Sequence, residues 1–86
     1  MIDSRRQWHQ DLVQFLRTIQ KPNKPVESIG MDDSLVASGL IDSLAIVQIV
    51  VYLETTHGID FASRGIDPER LTSIASILDL VAEARA

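Results

Sequence analysis

The side chain with the clearest chemical potential is the hydroxyl of Ser43, near the middle of the 86-residue chain. It lies in the segment 39–44, which reads Gly-Leu-Ile-Asp-Ser-Leu and leads into an apolar run that extends to Leu53. Asp and Ser are favoured at helix starts because their side-chain oxygens accept free backbone N–H groups. The pattern therefore predicts a hydroxyl at a helix N-terminus, where the helix dipole would stabilise a phosphate ester.

Two interpretations of Ser43 follow from the residues alone. In the first, its hydroxyl is only a helix cap, which typically stabilises a helix by about 1 kcal/mol. In the second, the hydroxyl is the attachment point of a phosphate-linked group. Composition by itself favours the first interpretation, since many helices begin with Asp-Ser.

The sequence lacks the common catalytic and metal-binding motifs. The two histidines, His9 and His57, do not have the H-E-x-x-H spacing of a zinc-binding helix, and we expect His57 to be a favourable dipole partner or a cap at a helix C-terminus. The segment 39–43 does not match the G-x-S-x-G elbow, and no glycine-rich phosphate loop is present. Asp32 and Asp33 lack EF-hand spacing and are expected to cap a turn. We therefore predict no catalytic residue, no metal site and no enzymatic activity.

Length and composition indicate one small domain over residues 1–86 with an aliphatic core. Hydrophobic residues make up 45% of the chain but aromatic residues only 5%, and there is no cysteine. The absence of cysteine excludes disulfides and fits a reducing compartment. We find neither a secretory signal nor an apolar run near the roughly 20 residues that span a bilayer. These features predict a cytoplasmic protein without a membrane span.

Charge is unevenly distributed along the chain, whose net charge is −4. Residues 1–25 carry five basic and two acidic side chains, a balance of +3, whereas residues 26–86 carry three basic and ten acidic ones, a balance of −7. The part that contains Ser43 is therefore acidic, which disfavours nucleic acid and favours basic partner surfaces. The alternative explanation for this acidic balance is that the surface charges serve only to keep the protein in solution.

Apolar spacing predicts a first helix from about residue 4 to 20, with Trp8 as a core residue. The segment 21–25 contains Pro22 and Pro25, which cannot continue a helix. A long connection then runs to about residue 41. The apolar side chains expected to hold this connection are Ile29, Met31, Leu35, Leu40 and Ile41.

The second helix is predicted over residues 43–57, with Gly58 as its C-terminal stop. The stripe expected to face the core consists of Leu44, Val47, Val50, Val51 and Leu53. The rest of the helix is apolar too, so it is either central or also faces a partner. The residues expected to be partly presented for docking are Ala45, Ile46, Ile49 and Val51.

The C-terminal third is predicted to contain a short helix and a long one. Asp67 followed by Pro68 is typical of a helix start, whereas the segment 59–61 is interpreted as a link. Thr72 or Ser73 is expected to cap a last helix that runs to about residue 84. Its predicted inward stripe is Ile74, Ile77, Leu78 and Val81. The predicted fold class is all-α, a bundle of three main helices plus one short helix.

The segment 39–44 resembles the modification site of acyl and peptidyl carrier proteins. In that family the serine of an Asp-Ser-Leu triplet carries 4′-phosphopantetheine, whose terminal thiol holds cargo as a thioester. The context matches as well: Gly39 stands three residues before Asp42, and an apolar helix is predicted after Ser43. The resemblance extends over residues 8–84 and includes the Gly-Ile-Asp-Phe segment 58–61.

The resemblance implies a carrier with an acyl-carrier-protein-like bundle, and the Met1 start together with a complete bundle favours a stand-alone protein, which we expect to be a monomer. Ser43 would receive 4′-phosphopantetheine from coenzyme A through a phosphopantetheinyl transferase, a step that uses magnesium on the transferase. Asp42 and Leu44 match the flanking motif, and Asp42 matches the acidic residue that helps transferase recognition. Leu44, Ile46 and Val51 match positions that typically contact partners. The further partners implied are a cargo-loading ligase or synthetase and a downstream acyl or aminoacyl transferase or synthase.

The second helix departs from the pattern of fatty-acid-synthase carriers, in which it is usually strongly acidic. Here it contains one acidic residue, Glu54. This difference points towards the apolar docking interface of D-alanyl, aminoacyl or peptidyl carriers and of specialised stand-alone carriers, and it leaves the cargo open. The rival hypothesis is a small helical adaptor that binds a partner through the second helix without modification of Ser43.

Overall fold

The computed structural model describes residues 4–21, 25–26 and 29–85, and this part of the chain is helical without strands. The helices are α1 (Ser4–Ile19), α2 (Ala45–His57), α3 (Phe61–Arg64) and α4 (Ile74–Arg85), and a 3₁₀ turn (Pro68–Leu71) precedes α4. The prediction of an all-α bundle with three long helices is confirmed. Within the described ranges, no helix is long and apolar enough to cross a membrane.

The first helix and the connection after it are tied together by polar contacts. Leu12 and Leu16 are the fully buried residues of α1, and Trp8 is half-buried at the edge of the core. Beyond the helix end, the side-chain oxygen Oε1 of Gln20 accepts the backbone N–H of Val26 at 3.0 Å. The predicted helix stop at residues 21–25 lies partly outside the described residues, because residues 22–24 are not among them.

Four of the five apolar residues predicted to hold the long connection lie in the core or pack against it. Leu35, Leu40 and Ile41 are fully buried, whereas Ile29 is half-buried and Met31 is 38% exposed. The backbone N–H of Leu35 also donates to the carbonyl of Thr72 at 2.7 Å, which joins the connection to the segment before α4. The prediction that the side chain of Met31 helps to hold this connection is wrong.

The α2 helix turns a different face to the core from the one predicted. Its buried residues are Ala45, Ile49 and Leu53, whereas Val47 and Val51 are 63% and 54% exposed. Leu44, just before the helix, is exposed as well. Because nearly every position of α2 is apolar, periodicity does not distinguish the buried face from the exposed one. Packing against the other helices determines which face of α2 is buried.

The segment between α2 and the 3₁₀ turn contains a helix that was not predicted. Gly58 ends α2 in the left-handed conformation, with φ of 67°, as its position indicated. The segment 59–61 was expected to be a link, but Asp60 accepts the N–H of Ser63 at 3.0 Å and caps the one-turn helix α3. Hydrogen bonds from Ser63 also lower the pKa of the Asp60 carboxyl.

The last long helix follows the predicted pattern closely. The side chain of Asp67 accepts the N–H of Glu69 at 2.9 Å and begins the 3₁₀ turn. Ser73, rather than Thr72, then caps α4, because its Oγ accepts the N–H of Ser76 at 3.1 Å. The buried residues of α4 are the predicted Ile74, Ile77, Leu78 and Val81, together with Leu80.

Candidate functional site

The loop before Ser43 is fixed by its own backbone and by two buried side chains. Gly39 has a φ of 85°, a left-handed conformation that glycine adopts without steric cost. Leu40 and Ile41, the next two residues, are both almost fully buried. The carbonyl of Leu40 accepts the N–H of Lys21 at 2.8 Å, so the loop is also bound to the end of α1. This arrangement positions the next residues at the molecular surface.

The first turn before α2 is tighter than an α-helical turn. The N–H of Ala45 donates to both the backbone carbonyl and the Oδ1 of Asp42, at 3.1 and 3.0 Å. The N–H of Ile46 donates to the carbonyl of Ser43 at 3.3 Å, which is the spacing of a 3₁₀ turn. Regular α-helix therefore begins at Ala45, two residues after the predicted start, and Asp42 caps the turn.

Ser43 is exposed on this turn with its hydroxyl unused. Its Oγ takes part in none of the hydrogen bonds formed among the described residues, nor do the N–H groups of Ser43 and Leu44. The cap interpretation of Ser43 is therefore not supported, since Asp42 has that role. A free hydroxyl beside free backbone donors at a helix N-terminus can accept a phosphate group and stabilise its charge.

A polar hollow of about 280 Å³ lies beside Ser43, between the end of α1 and the start of α2. Its lining includes the side chains of Thr18, Asp42 and Gln48. Among the described residues there is no group of three or more His, Cys, Asp or Glu side chains that could hold a metal ion. The hollow thus offers neutral hydrogen-bonding groups and one carboxylate beside the hydroxyl.

The three residues suggested as partner contacts differ in accessibility. Leu44 is 78% exposed next to Ser43, and Val51 is exposed two turns further along α2. Ile46 is half-buried and packs against the core. Val47, which the sequence analysis assigned to the core, shares the exposed face. The four-residue spacing of Ser43, Val47 and Val51 is the sequence signal that could have placed it there.

Comparison with protein families settles the class of the domain. The family described as phosphopantetheine attachment site matches residues 14–83, which is most of the chain. The chain belongs to this family. No curated protein and no solved structure matches it. Members of the family are carrier domains that bear 4′-phosphopantetheine covalently on a serine.

The site around Ser43 in this carrier domain fits such a group. Its exposed Oγ can form the phosphate ester, and the N–H groups of Ser43 and Leu44 can stabilise the phosphate. The polar lining of the adjacent hollow, from Thr18 and Gln48, suits the amides of a pantetheine arm. Each of these features belongs to the described residues and is independent of the family match.

Asp42→Ala is expected to destabilise the carrier domain by about 1 kcal/mol, because the side chain caps the first turn before α2. Asp42→Asn is the matched control, since an amide oxygen can accept the same N–H and should retain most of the stability. Urea unfolding followed by circular dichroism measures both. Equal losses for the two variants would show that the charge of Asp42, rather than its cap, stabilises the turn.

The other end of α2 carries an aromatic and charged cluster around His57. The ring of His57 meets Trp8 and Tyr52 edge-on, with centroids 6.2 and 6.1 Å apart. The Nε of Arg85 donates to Nδ1 of His57 at 3.0 Å, and its guanidinium lies 5.7 Å from the centre of the Trp8 ring. Burial and the Arg85 cation lower the pKa of His57, while Asp11 opposes them. The lowered pKa disfavours the protonated ring, and the role of His57 as a dipole partner or cap stays a prediction.

The lowered pKa of His57 predicts that stability falls with falling pH. Above the unfolded pKa, both states hold a neutral ring and the stabilisation is complete. As the pH falls through the unfolded pKa, the unfolded chain binds a proton before the folded chain does, so the free energy of unfolding decreases. This decrease is complete below the folded pKa. A protonated Nδ1 also cannot accept from Arg85. We expect His57→Phe to flatten this part of the profile, measured by urea unfolding between about pH 8 and pH 5. Parallel profiles would contradict the prediction.

Proposed function

We propose that this carrier domain holds acyl or aminoacyl cargo as a thioester on 4′-phosphopantetheine attached to Ser43 and delivers it to partner enzymes. The observation that carries the proposal is the exposed Oγ of Ser43 just before α2, which has no hydrogen-bond partner among the described residues. The family match over residues 14–83 supports the prosthetic group, and the position of Ser43 supports this serine as its site. The protein itself would catalyse no reaction.

The residues around Ser43 have different roles in positioning its hydroxyl. Asp42 caps the turn, so the hydroxyl of Ser43 is not needed for structure. Leu40 and Ile41 are buried and hold the turn against the core. The prosthetic group would supply the thiol that the cysteine-free chain lacks. Tethering would raise the effective concentration of cargo at each partner site.

We propose Leu44, Ile46 and Val51 as partner contacts, with the exposed Leu44 and Val51 contributing most of the surface. Glu54 is the only acidic residue of α2, which favours an apolar interface over a strongly acidic one. This supports a D-alanyl, aminoacyl, peptidyl or specialised carrier rather than a fatty-acid-synthase carrier. The proposed partners are a phosphopantetheinyl transferase, a loading ligase or synthetase, and a downstream transferase or synthase, with the carrier acting as a cytoplasmic monomer.

Intact mass spectrometry tests the proposal directly. The protein is incubated with coenzyme A, magnesium and a broad-specificity phosphopantetheinyl transferase, with a known carrier treated in parallel. We expect a gain of one phosphopantetheine, located on Ser43 by peptide mapping. A folded protein that gains no mass while the known carrier is modified would overturn the proposal.

A failed modification would favour the adaptor hypothesis. The observation in its favour is the exposed apolar surface formed by Leu44, Val47 and Val51, which a partner helix could cover without any modification of Ser43. The carrier and adaptor hypotheses differ in whether function requires the Ser43 hydroxyl, since an adaptor does not need it.

A further inference from the structure

The α1 helix has a flank that does not face α2. Leu12 and Leu16 are the buried residues of α1. Phe15 lies on one side of this buried stripe and stacks on Tyr52 of α2, with ring centroids 4.4 Å apart. Val13 lies on the other side of the stripe, because successive residues of an α-helix are about 100° apart around its axis. The flank that carries Val13 is therefore separate from the one that faces α2.

An apolar cavity of about 400 Å³ lies on the flank of Val13, between α1, the long connection and the start of α4. Its volume is within the range of sites that bind ligands. Met31, which is 38% exposed, contributes to its lining, so apolar surface is accessible from solvent there. The residues that line this cavity with aliphatic side chains or with Met31 are Val13, Val26, Ile29, Met31 and Ile74.

A basic hollow of about 230 Å³ adjoins the apolar cavity along α1. The cavity and the hollow share His9 and Val13 in their linings. The hollow adds Gln10, Gln14 and the guanidinium side chain of Arg17. No Asp or Glu is among the described residues that line either of them. The two together therefore form one continuous site that is apolar on one side and positively charged on the other.

Positive charge extends along this side of α1 beyond the basic hollow. Arg6, Gln10, Val13 and Arg17 are spaced by three or four residues and therefore share one side of the helix. Arg6 and Arg17 stand roughly 16 Å apart along the helix axis, at about 1.5 Å per residue. Asp11, the single acidic residue of α1, is outside this row. The row contrasts with residues 26–86, which have a charge balance of −7.

These features favour an acidic protein segment over other anionic ligands. The distance between Arg6 and Arg17 suits an extended chain, in which several carboxylates follow one another. The apolar cavity lies between the two cations along α1, beside Val13, and suits a large apolar side chain between those carboxylates. A nucleic acid would gain little there, because the described lining contains no Phe, Tyr or Trp on which a base could stack.

We infer that this flank of α1 is a docking site for an acidic segment of a partner protein. A large apolar side chain of the segment fills the cavity, and its carboxylates lie beside Arg6 and Arg17. The buried side chain provides most of the affinity, whereas the charges orient the segment and speed its association. A partner bound here leaves Ser43 accessible, so the protein has two separate interfaces. The inference does not require modification of Ser43.

Nuclear magnetic resonance of the unmodified protein tests this inference. The probe is the blocked peptide Ac-Glu-Asp-Glu-Phe-Glu-Asp-Glu-NH2, and we expect saturable shifts at the amides of Val13, Met31 and Ile74. One control peptide has Ala in place of Phe, and the other has Gln and Asn in place of Glu and Asp. Each control is expected to bind about tenfold more weakly. No saturable shift, or equal binding of the three peptides, would overturn the inference.

Met31→Glu introduces a carboxylate into the lining of the cavity, and Val36→Glu is its matched control. The two side chains are exposed to nearly the same extent, 38% and 39%, but Val36 does not line the cavity. Circular dichroism establishes that both variants are folded. We expect Met31→Glu to weaken binding of the acidic peptide about tenfold and Val36→Glu to leave it unchanged. Weakening in both variants, or in neither, would contradict the site.

Arg17→Glu reverses the charge in the basic hollow, and Arg64→Glu is its matched control. Both arginines are exposed helical residues, but Arg64 belongs to α3 and lines neither the cavity nor the hollow. We expect Arg17→Glu to weaken binding of the acidic peptide about tenfold and to reduce the effect of added salt. Unchanged affinity in Arg17→Glu, or an equal loss in Arg64→Glu, would overturn the choice of an acidic partner.

Further outcomes distinguish this occupant from others and this site from Ser43. A single-stranded oligothymidylate that shifts the same amides as strongly as the peptide would overturn the choice of a protein segment. Shifts that grow with the concentration of the protein alone would identify a second copy of the chain as the occupant. Saturating peptide should leave the rate of phosphopantetheine attachment to Ser43 unchanged, and a slower rate would contradict the separation of the two interfaces. A protein that binds the peptide but gains no phosphopantetheine would overturn only the proposed function.

Discussion

Ser43→Ala is expected to abolish phosphopantetheine attachment while the free energy of unfolding changes by less than about 0.5 kcal/mol. The reaction needs the hydroxyl oxygen as the acceptor of the phosphate, and alanine has none. The fold does not need it, because Asp42 caps the turn and Oγ has no hydrogen bond within the described part of the chain. Intact mass after transferase treatment and urea unfolding measure the two effects separately.

Ser38→Ala is the matched control for this substitution. Ser38 is also exposed and lies five residues before Ser43, and its Oγ donates to the carbonyl of Leu35 at 3.3 Å. The variant should be modified to the same extent as the unaltered protein. A mass gain in Ser43→Ala would assign the prosthetic group to another serine. A large loss of stability in Ser43→Ala would show that the hydroxyl has a structural role after all.

Ile49→Ala is expected to destabilise the protein by about 2–5 kcal/mol, because it removes buried methyl and methylene groups from the centre of the core. Domains of this size are stable by only about 5–15 kcal/mol, so the variant would lose a large fraction of its stability. Urea unfolding followed by circular dichroism gives the difference. The size of the loss measures how firmly α2 is held by packing.

Val51→Ala, on the opposite side of the same helix, is the control. Val51 is more than half exposed, so its truncation should change the free energy of unfolding by less than about 0.5 kcal/mol. The pair therefore tests which face of α2 is buried. Similar losses at both positions would contradict the orientation of α2, and with it the exposed surface proposed for docking.

Short-range interactions along the sequence were enough to predict several helix ends, the buried side of α4 and the motif around Ser43. Asp67 and Ser73 could be identified as helix caps, and Gly58 as a helix stop, because each acts on backbone groups only a few residues away. The inward stripe of α4 could be predicted because its apolar residues recur at intervals of three and four residues, with polar residues between them. The motif around Ser43 likewise indicated the family, since a reactive side chain and its flanking residues are contiguous in the chain.

Only the tertiary structure decided how α2 is oriented. Its positions are nearly all apolar, so hydrophobic periodicity was equally consistent with burial of Val47 or of Ile49. The α2 helix packs on α4 and on the 3₁₀ turn, and Ile49 is on its buried side. These elements lie far from α2 in sequence, so no local pattern indicates which side of the helix they cover. The same packing leaves Val47 and Val51 exposed, which no local sequence pattern predicted.

The roles of Asp42, Ser43 and His57 also depended on three-dimensional contacts. The sequence placed both Asp42 and Ser43 at the helix start. The structure shows that Asp42 caps the turn, whereas the Ser43 hydroxyl forms no hydrogen bond with any described residue. The sequence placed His57 at a helix C-terminus, but only the structure shows that burial and the Arg85 cation, which comes from the end of α4, lower the pKa of its ring. The sequence by itself therefore indicated the serine that we propose as the attachment site. Tertiary packing decided what surrounds this serine, because the environment of a side chain is built from residues that are distant along the chain.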